Sequence, residues 1–255
     1  MSKLPKQYQF VDLSDYGRGT ARWIAAAIKD TKYTPIHVTT WFIISGLLAI
    51  ACIINHYFLA AAFFLVLKSI LDAADGELSR LKNTPSYVGR FYDSIADYIL
   101  NFLFLLSIWY ICDGPFYKML VAFVCIQLQG TLYNYYYVIF RNNVNGDSTS
   151  RIFEDVVPSA MKGEKQSTVA TFYHIYNTLY IIFDKIIYWM DRDAIKSQPF
   201  PRWFMTCISI YGLGFQLLVM AIMLSFQLET YIIPFFIIYT IFLFVFIAIR
   251  KFVLD

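Results

Sequence analysis

Residues 72–97 read DAADGELSRLKNTPSYVGRFYDSIAD. The four aspartates of this stretch stand inside or beside segments that are otherwise as apolar as lipid. Placing charged side chains there costs free energy, and such residues mark functional sites in membrane proteins. Asp72 and Asp75 are i and i+3, and Asp93 and Asp97 are i and i+4, so each pair projects from one face of a helix. Two such helices packed together bring all four carboxylates into one patch.

Carboxylates this close repel one another unless a cation stands between them. Mg²⁺ takes oxygen ligands and is usually held by carboxylates together with substrate phosphates. The pattern therefore predicts a phosphate site with two metal ions.

The composition predicts a polytopic membrane protein with an all-α fold. The chain has 255 residues, of which 58% are hydrophobic and only 15% are charged, too apolar for an ordinary soluble domain. The four cysteines lack C-x2-C spacing and the three histidines are scattered, so neither disulfides nor a zinc site is indicated. The net charge of +3 is small, and nucleic acid is not expected as a partner.

Hydropathy predicts a helical bundle with about six transmembrane helices. Residues 1–35 form an N-terminal segment with an amphipathic helix at 15–32, which lies at the headgroup level or packs on the protein. A single transmembrane catalytic domain then covers 36–255, with a cytoplasmic insert at 141–202. Within the insert, 171–190 is long enough to span, but its polar residues favour a surface helix. The predicted spans are 36–54, 57–81, 91–112, 116–140, 203–227 and 230–249.

Loop charges predict the orientation. Lys and Arg number six before the first span, three between the second and third spans, eight between the fourth and fifth, and two at the end. Because positive residues mark the cytoplasmic side, both termini and the aspartate-rich turn are expected to face the cytoplasm.

The aspartate spacing also carries a family resemblance. Written as D-x2-D-G-x2-S-R-x8-G-x3-D-x3-D, residues 72–97 resemble the signature of the CDP-alcohol phosphotransferases. That family usually has alanine where this chain has Ser79. An element before the first span is similar to the family's Thr-Pro-Asn-x-x-Thr, with Thr34, Pro35 and Thr39 matching and Ile36 in place of the asparagine.

The resemblance implies an enzyme that moves a phospho-alcohol from a CDP-alcohol to an acceptor alcohol and releases CMP in phospholipid synthesis. It implies Mg²⁺ or Mn²⁺, a donor such as CDP-diacylglycerol or a CDP-linked headgroup, a lipid bilayer around the protein, and a homodimer. It assigns Asp97 as general base and further metal ligand. The other implied metal ligands are Asp72, Asp75 and Asp93, and the implied nucleotide or phosphate contacts are Gly76, Ser79, Arg80, Gly89, Thr39 and Pro35.

Two other functions use membrane carboxylates. A cation transporter or channel predicts carboxylates along a path across the membrane, whereas here they cluster at one depth. An aromatic prenyltransferase places its two aspartate motifs far apart in sequence, whereas here both lie within 72–97.

Three further features of the sequence carry expectations. Lys68 stands one turn before Asp72 and can pair with it. Pro85 and Ser86 predict a helix stop followed by an N-cap. The polar and aromatic stretch 127–137 fits either an interfacial aromatic belt or the wall of a cavity for a polar acceptor.

Overall fold

The computed structural model describes residues 4–144, 146 and 154–254, and it contains no strand within them. The all-helical prediction is confirmed. The α-helices are α1 (Arg18–Ile28), α2 (Pro35–Ile54), α3 (Phe58–Lys82), α4 (Tyr87–Cys112), α5 (Phe116–Asn143), α6 (Gln166–Met190), α7 (Arg202–Ile208), α8 (Leu213–Ser225), α9 (Glu229–Tyr239) and α10 (Ile241–Val253).

Local sequence sets the turn that carries the aspartates. After α3, Asn83 adopts the left-handed conformation (φ 51°) that commonly ends a helix. Ser86 then accepts a hydrogen bond from the backbone N–H of Gly89 and caps α4. The predicted stop and N-cap are confirmed, and α3 and α4 form an antiparallel hairpin.

Three helical segments of the described chain are long and apolar enough to cross a membrane by length and composition: α2, α4 and the continuous stretch Glu229–Val253. A fourth is added if α7 and α8, which meet at an angle of 53°, are one broken span. The predicted count of six spans therefore stays a prediction.

The bend between α7 and α8 accommodates an N-terminal segment, here defined as Asp12–Asp15. The backbone N–H of Leu13 donates to the Ser209 hydroxyl at 2.9 Å. A Cβ at Gly214 would lie 1.9 Å from the carbonyl oxygen of Ser14, so only glycine permits this contact. The N-terminal segment is thus seated against the start of α8.

Helix α1 packs on α3 through two fully buried alanines, Ala21 and Ala25. On its other side Trp23 is 73% exposed, an amphipathic aromatic of the kind found at membrane interfaces. The predicted amphipathic helix is present, and it packs on the protein along one face.

Helix α6 lies obliquely along α4 and α5. It runs in the same direction as α4, with Tyr173 against Phe91 at 6.0 Å and Phe183 near Tyr98 at 6.4 Å between ring centroids. Just before α6, Glu164 accepts hydrogen bonds at the start of α4. Just after it, Asp191 accepts a hydrogen bond from the hydroxyl of Tyr136 on α5 at 2.5 Å.

Candidate active site

The hairpin brings three of the predicted ligands together. Asp72, Asp75 and Asp93 each offer a carboxylate oxygen, and these oxygens all lie within 4.8 Å of one another. The Oδ1 atom of Asp93 is buried and has no hydrogen-bond partner within the described chain. A buried carboxylate oxygen without a partner, facing two others, suits a divalent cation with oxygen ligands. The residues present therefore fit the predicted metal ion.

Asp97 stands beside this group and is held by a lysine. The Lys68 ammonium donates to Asp72 at 2.7 Å, as predicted, and it also donates to Asp97. Lys68 is 1% exposed and stands over the ring of Phe42. Lys68 thus joins a predicted metal ligand to the predicted base, and sequence alone indicated only the first of these pairs.

Arg80 is paired with Glu77 and not with an aspartate of the cluster. Its Nη2 lies 3.1 Å from a Glu77 oxygen, while Arg18 and Arg22 approach the same carboxylate at 3.5 and 3.6 Å. The Nε of Arg80 is buried and has no hydrogen-bond partner among the described residues. One donor of this guanidinium is therefore left for a ligand.

The carboxylates open into a cavity of about 440 Å³. Its walls come from α3, α4, α5, α6 and α8, and the N-terminal segment covers part of it. The cavity has room for a polar ligand beside the cluster, and the site is not confined to the aspartate hairpin.

A sequence profile described as CDP-alcohol phosphatidyltransferase matches residues 32–192. The chain belongs to the CDP-alcohol phosphatidyltransferase family. At the level of its family, the protein is therefore a membrane transferase. The family transfers a phosphatidyl group from a CDP-alcohol in a lipid environment, and it generally uses a divalent metal. A search of curated protein sequences finds no match.

Within this CDP-alcohol phosphatidyltransferase, the six predicted nucleotide contacts divide into three pairs. Gly76 and Arg80 line the cavity. Thr39 lies behind it and donates to a carboxylate oxygen of Asp75 at 2.6 Å, which orients that carboxylate. Pro35 begins α2, and its carbonyl accepts from the Thr39 hydroxyl at 3.1 Å.

The other two predicted contacts serve the α3–α4 turn. The Ser79 hydroxyl donates to the carbonyl of Thr84 at 3.0 Å, and the N–H of Gly89 is used in the N-cap. A Cβ at Gly89 would lie 3.2 Å from the Ser86 hydroxyl, so its lack of a side chain eases the cap. The structure brings neither residue to the cavity wall.

Several cavity residues were not assigned from sequence. Helix α6 presents Tyr176, Tyr180 and Asp184 at i, i+4 and i+8, a spacing that places them on one face. The Tyr180 hydroxyl donates to the carbonyl of Ser94 at 2.7 Å. Burial, then the negative charge of Glu154, raises the pKa of Asp184 to about 7. The i, i+4, i+8 spacing was the available signal, but the helix could not be placed from it.

The N-terminal segment also contributes to the site. Asp12 accepts a hydrogen bond from the Tyr133 hydroxyl at 2.5 Å, and both residues line the cavity. Arg18, at the start of α1, lines it too. The N-terminal segment and Arg18, together with α8, lie outside the matched residues 32–192, so this enzyme completes its cavity with parts that the family profile does not cover.

Proposed function

We propose that the protein transfers a phospho-alcohol from a CDP-alcohol to an acceptor alcohol, with release of CMP, in phospholipid synthesis. The observation that carries this proposal is the convergence of the Asp72, Asp75 and Asp93 oxygens at the wall of a polar cavity, with Asp97 beside them. Family membership supplies the CDP-linked donor.

In the proposed step, the oxygen of the acceptor hydroxyl attacks the β-phosphorus of the CDP-alcohol. The bond between that phosphorus and the bridging oxygen of the pyrophosphate breaks, and CMP leaves with the electron pair. Asp97 takes the proton of the hydroxyl, because it is the carboxylate next to the cluster that is not one of the three converging ligands.

The other charged residues hold these groups in position. Asp72, Asp75 and Asp93 would hold Mg²⁺ or Mn²⁺, with Asp97 as a further candidate ligand. When bound, such ions neutralise the pyrophosphate and the developing charge. Lys68 orients Asp97 through its hydrogen bond. Arg80 directs its free Nε–H toward a phosphate oxygen of the donor.

We further propose six spans within a single catalytic domain at 36–255, with the aspartate hairpin and both termini on the cytoplasmic side. The contacts of α6 support a non-spanning insert. Glu164 before α6 is bonded at the start of α4, and Asn143 at the end of α5 donates to the carbonyl of Ser197 after α6. Because α4 and α5 are successive antiparallel spans in this proposal, both ends of α6 are fixed at the same side of the bundle.

The family resemblance also supports a homodimer, with CDP-diacylglycerol or a CDP-linked headgroup as donor. The experiment that tests the function measures CMP release by the purified protein in lipid nanodiscs. The donors are CDP-diacylglycerol, CDP-choline and CDP-ethanolamine, each with a panel of acceptor alcohols and with Mg²⁺, Mn²⁺ or EDTA. No CMP from any combination would refute the proposal.

Asp97→Asn tests the assigned base. The amide has the same shape but cannot take the proton, so we expect turnover to fall by about 10² to 10⁴, the usual contribution of a general base, while donor binding changes little. Asp113→Asn is the matched control, since Asp113 sits at the far end of α4 in a left-handed conformation that asparagine also tolerates. Loss of donor binding equal to the loss of turnover would show that Asp97 acts chiefly as a metal ligand.

A further inference from the structure

One wall of the cavity is formed by uncharged polar side chains of α5. Gln127, Thr131 and Asn134 follow one another at i, i+4 and i+7, so they lie on one face of the helix, and all three line the cavity. These are side chains that donate to and accept from hydroxyl groups. The sequence left open whether the stretch 127–137 is an aromatic belt or a cavity wall, and this face is a cavity wall.

Gln127 lies at the depth of the predicted base. Helices α4 and α5 are antiparallel, and Phe123 of α5 contacts Tyr98 and Phe102 of α4 at 5.0 and 5.3 Å between ring centroids. One turn further along α5 is Gln127, and the matching turn back along α4 is Asp97. Gln127 and Asp97 therefore line the cavity at about the same depth.

Among the described residues, the side-chain amide nitrogen of Gln127 has no hydrogen-bond partner, whereas that of Gln129 has two. Gln129 is fully buried, and its Nε2 donates to the carbonyl of Phe236 at 3.0 Å and to the Thr240 hydroxyl at 2.8 Å. Gln127 is 6% exposed, yet its buried Nε2 has no hydrogen-bond partner among the described residues. Leaving a buried donor unpaired costs about 1 to 3 kcal/mol, so this amide is available to donate to a ligand oxygen.

The charges around the cavity disfavour a phosphorylated acceptor. Among the described residues, the basic side chains in its wall are Arg18 and Arg80, and both are already ion-paired, through Asp15 and Glu77. The lining also includes Asp184, which has neither a hydrogen bond nor an ion pair within the described chain. A phosphate monoester carries a charge of about −1.5 to −2, and among the described residues this lining offers it no unpaired basic side chain.

We propose that this face of α5 is the acceptor subsite and that the acceptor is an uncharged soluble polyol, an alcohol with at least one further hydroxyl beside the one that reacts. Gln127 donates its free amide hydrogen to that second oxygen, and Thr131 and Asn134 bind hydroxyls further along. The inference rests on the proposed function, because it takes Asp97 as the group that receives the proton.

The first test compares acceptors with CDP-diacylglycerol as donor. The neutral polyols are myo-inositol and glycerol, and the charged alcohols are inositol 1-phosphate, glycerol 3-phosphate, serine and ethanolamine. We expect CMP release at least tenfold faster with a neutral polyol. Faster release with a phosphorylated or amino alcohol, or release only from a CDP-headgroup with diacylglycerol, would overturn the inference and leave the proposed function standing. No CMP with any donor and acceptor would remove both.

The second test is Gln127→Met, which keeps the length of the side chain and removes the donor. We expect the KM for the polyol to rise roughly tenfold, the value of one hydrogen bond, with the KM for the donor unchanged. The unfolding temperature should not fall, since the amide nitrogen has no hydrogen-bond partner among the described residues. Gln7→Met, at an exposed position, is the control. A lower unfolding temperature with an unchanged KM for the polyol would show that Gln127 is structural.

Discussion

Replacing Lys68 by methionine should destabilise the protein by about 3 to 5 kcal/mol when no divalent cation is present. The Lys68 ammonium is buried and lies 2.7 Å from Asp72, with a second hydrogen bond to Asp97. At an effective dielectric constant near 20, the attraction to Asp72 alone is about 6 kcal/mol before desolvation is subtracted. Deleting one partner of a buried ion pair typically costs 3 to 5 kcal/mol, because the other charge is left buried and uncompensated.

The assay is thermal unfolding in detergent, with EDTA or with Mg²⁺. For a chain of this size the loss corresponds to a fall of about 10 °C in the unfolding temperature with EDTA. Mg²⁺ should restore more of the unfolding temperature in the Lys68→Met variant than in the unchanged protein, because the ion supplies the missing positive charge. Lys118→Met is the control, because Lys118 is exposed on α5; it should change the free energy of unfolding by less than about 0.5 kcal/mol. Equal stability of Lys68→Met and the unchanged protein in EDTA would refute the role of Lys68 as counter-ion.

Two further predictions concern packing around the site. Burial opposes the charge of Glu164, but hydrogen bonds from the Ser86 hydroxyl and from backbone N–H groups lower the pKa of its carboxyl below 4.5. The stability it contributes is therefore fully present above pH 4.5 and lost as the pH falls through the lowered value, and Glu164→Gln should remove that pH dependence from the unfolding temperature. Gly214→Ala should displace the N-terminal segment and lower both stability and turnover, whereas Gly19→Ala, where a Cβ meets nothing within 4 Å, should do neither; equal effects of the two would contradict the close packing.

Features that depend on neighbouring residues could be predicted from the sequence. The two aspartate pairs, the stop after α3 and the Ser86 cap all follow from helical periodicity and local hydrogen bonding. The antiparallel hairpin follows from them, because a short turn between two apolar helices allows little else. The convergence of Asp72, Asp75 and Asp93 is the direct result of this geometry.

Features that depend on long-range packing could not be predicted in the same way. The second partner of Lys68 is 29 residues away, and its choice depends on how α3 rotates against α4. Asp184 and Tyr180 reach the cavity only because α6 lies obliquely along α4, an angle that periodicity does not encode. Gln127 and Gln129 are two residues apart and equally polar, yet one faces the cavity and the other is bonded to the backbone of α9.

The contact between Leu13 and Ser209 joins residues that are 196 positions apart. During synthesis the chain enters the membrane from its N-terminal end. The N-terminal segment therefore cannot make its contact with Ser209 until most of the chain has been translated. The aspartate hairpin can assemble as soon as α3 and α4 have been inserted. The cavity beside it is complete only after α8 has been inserted as well. Chains interrupted before α8 would therefore carry the carboxylates without the part of the cavity wall that α8 supplies.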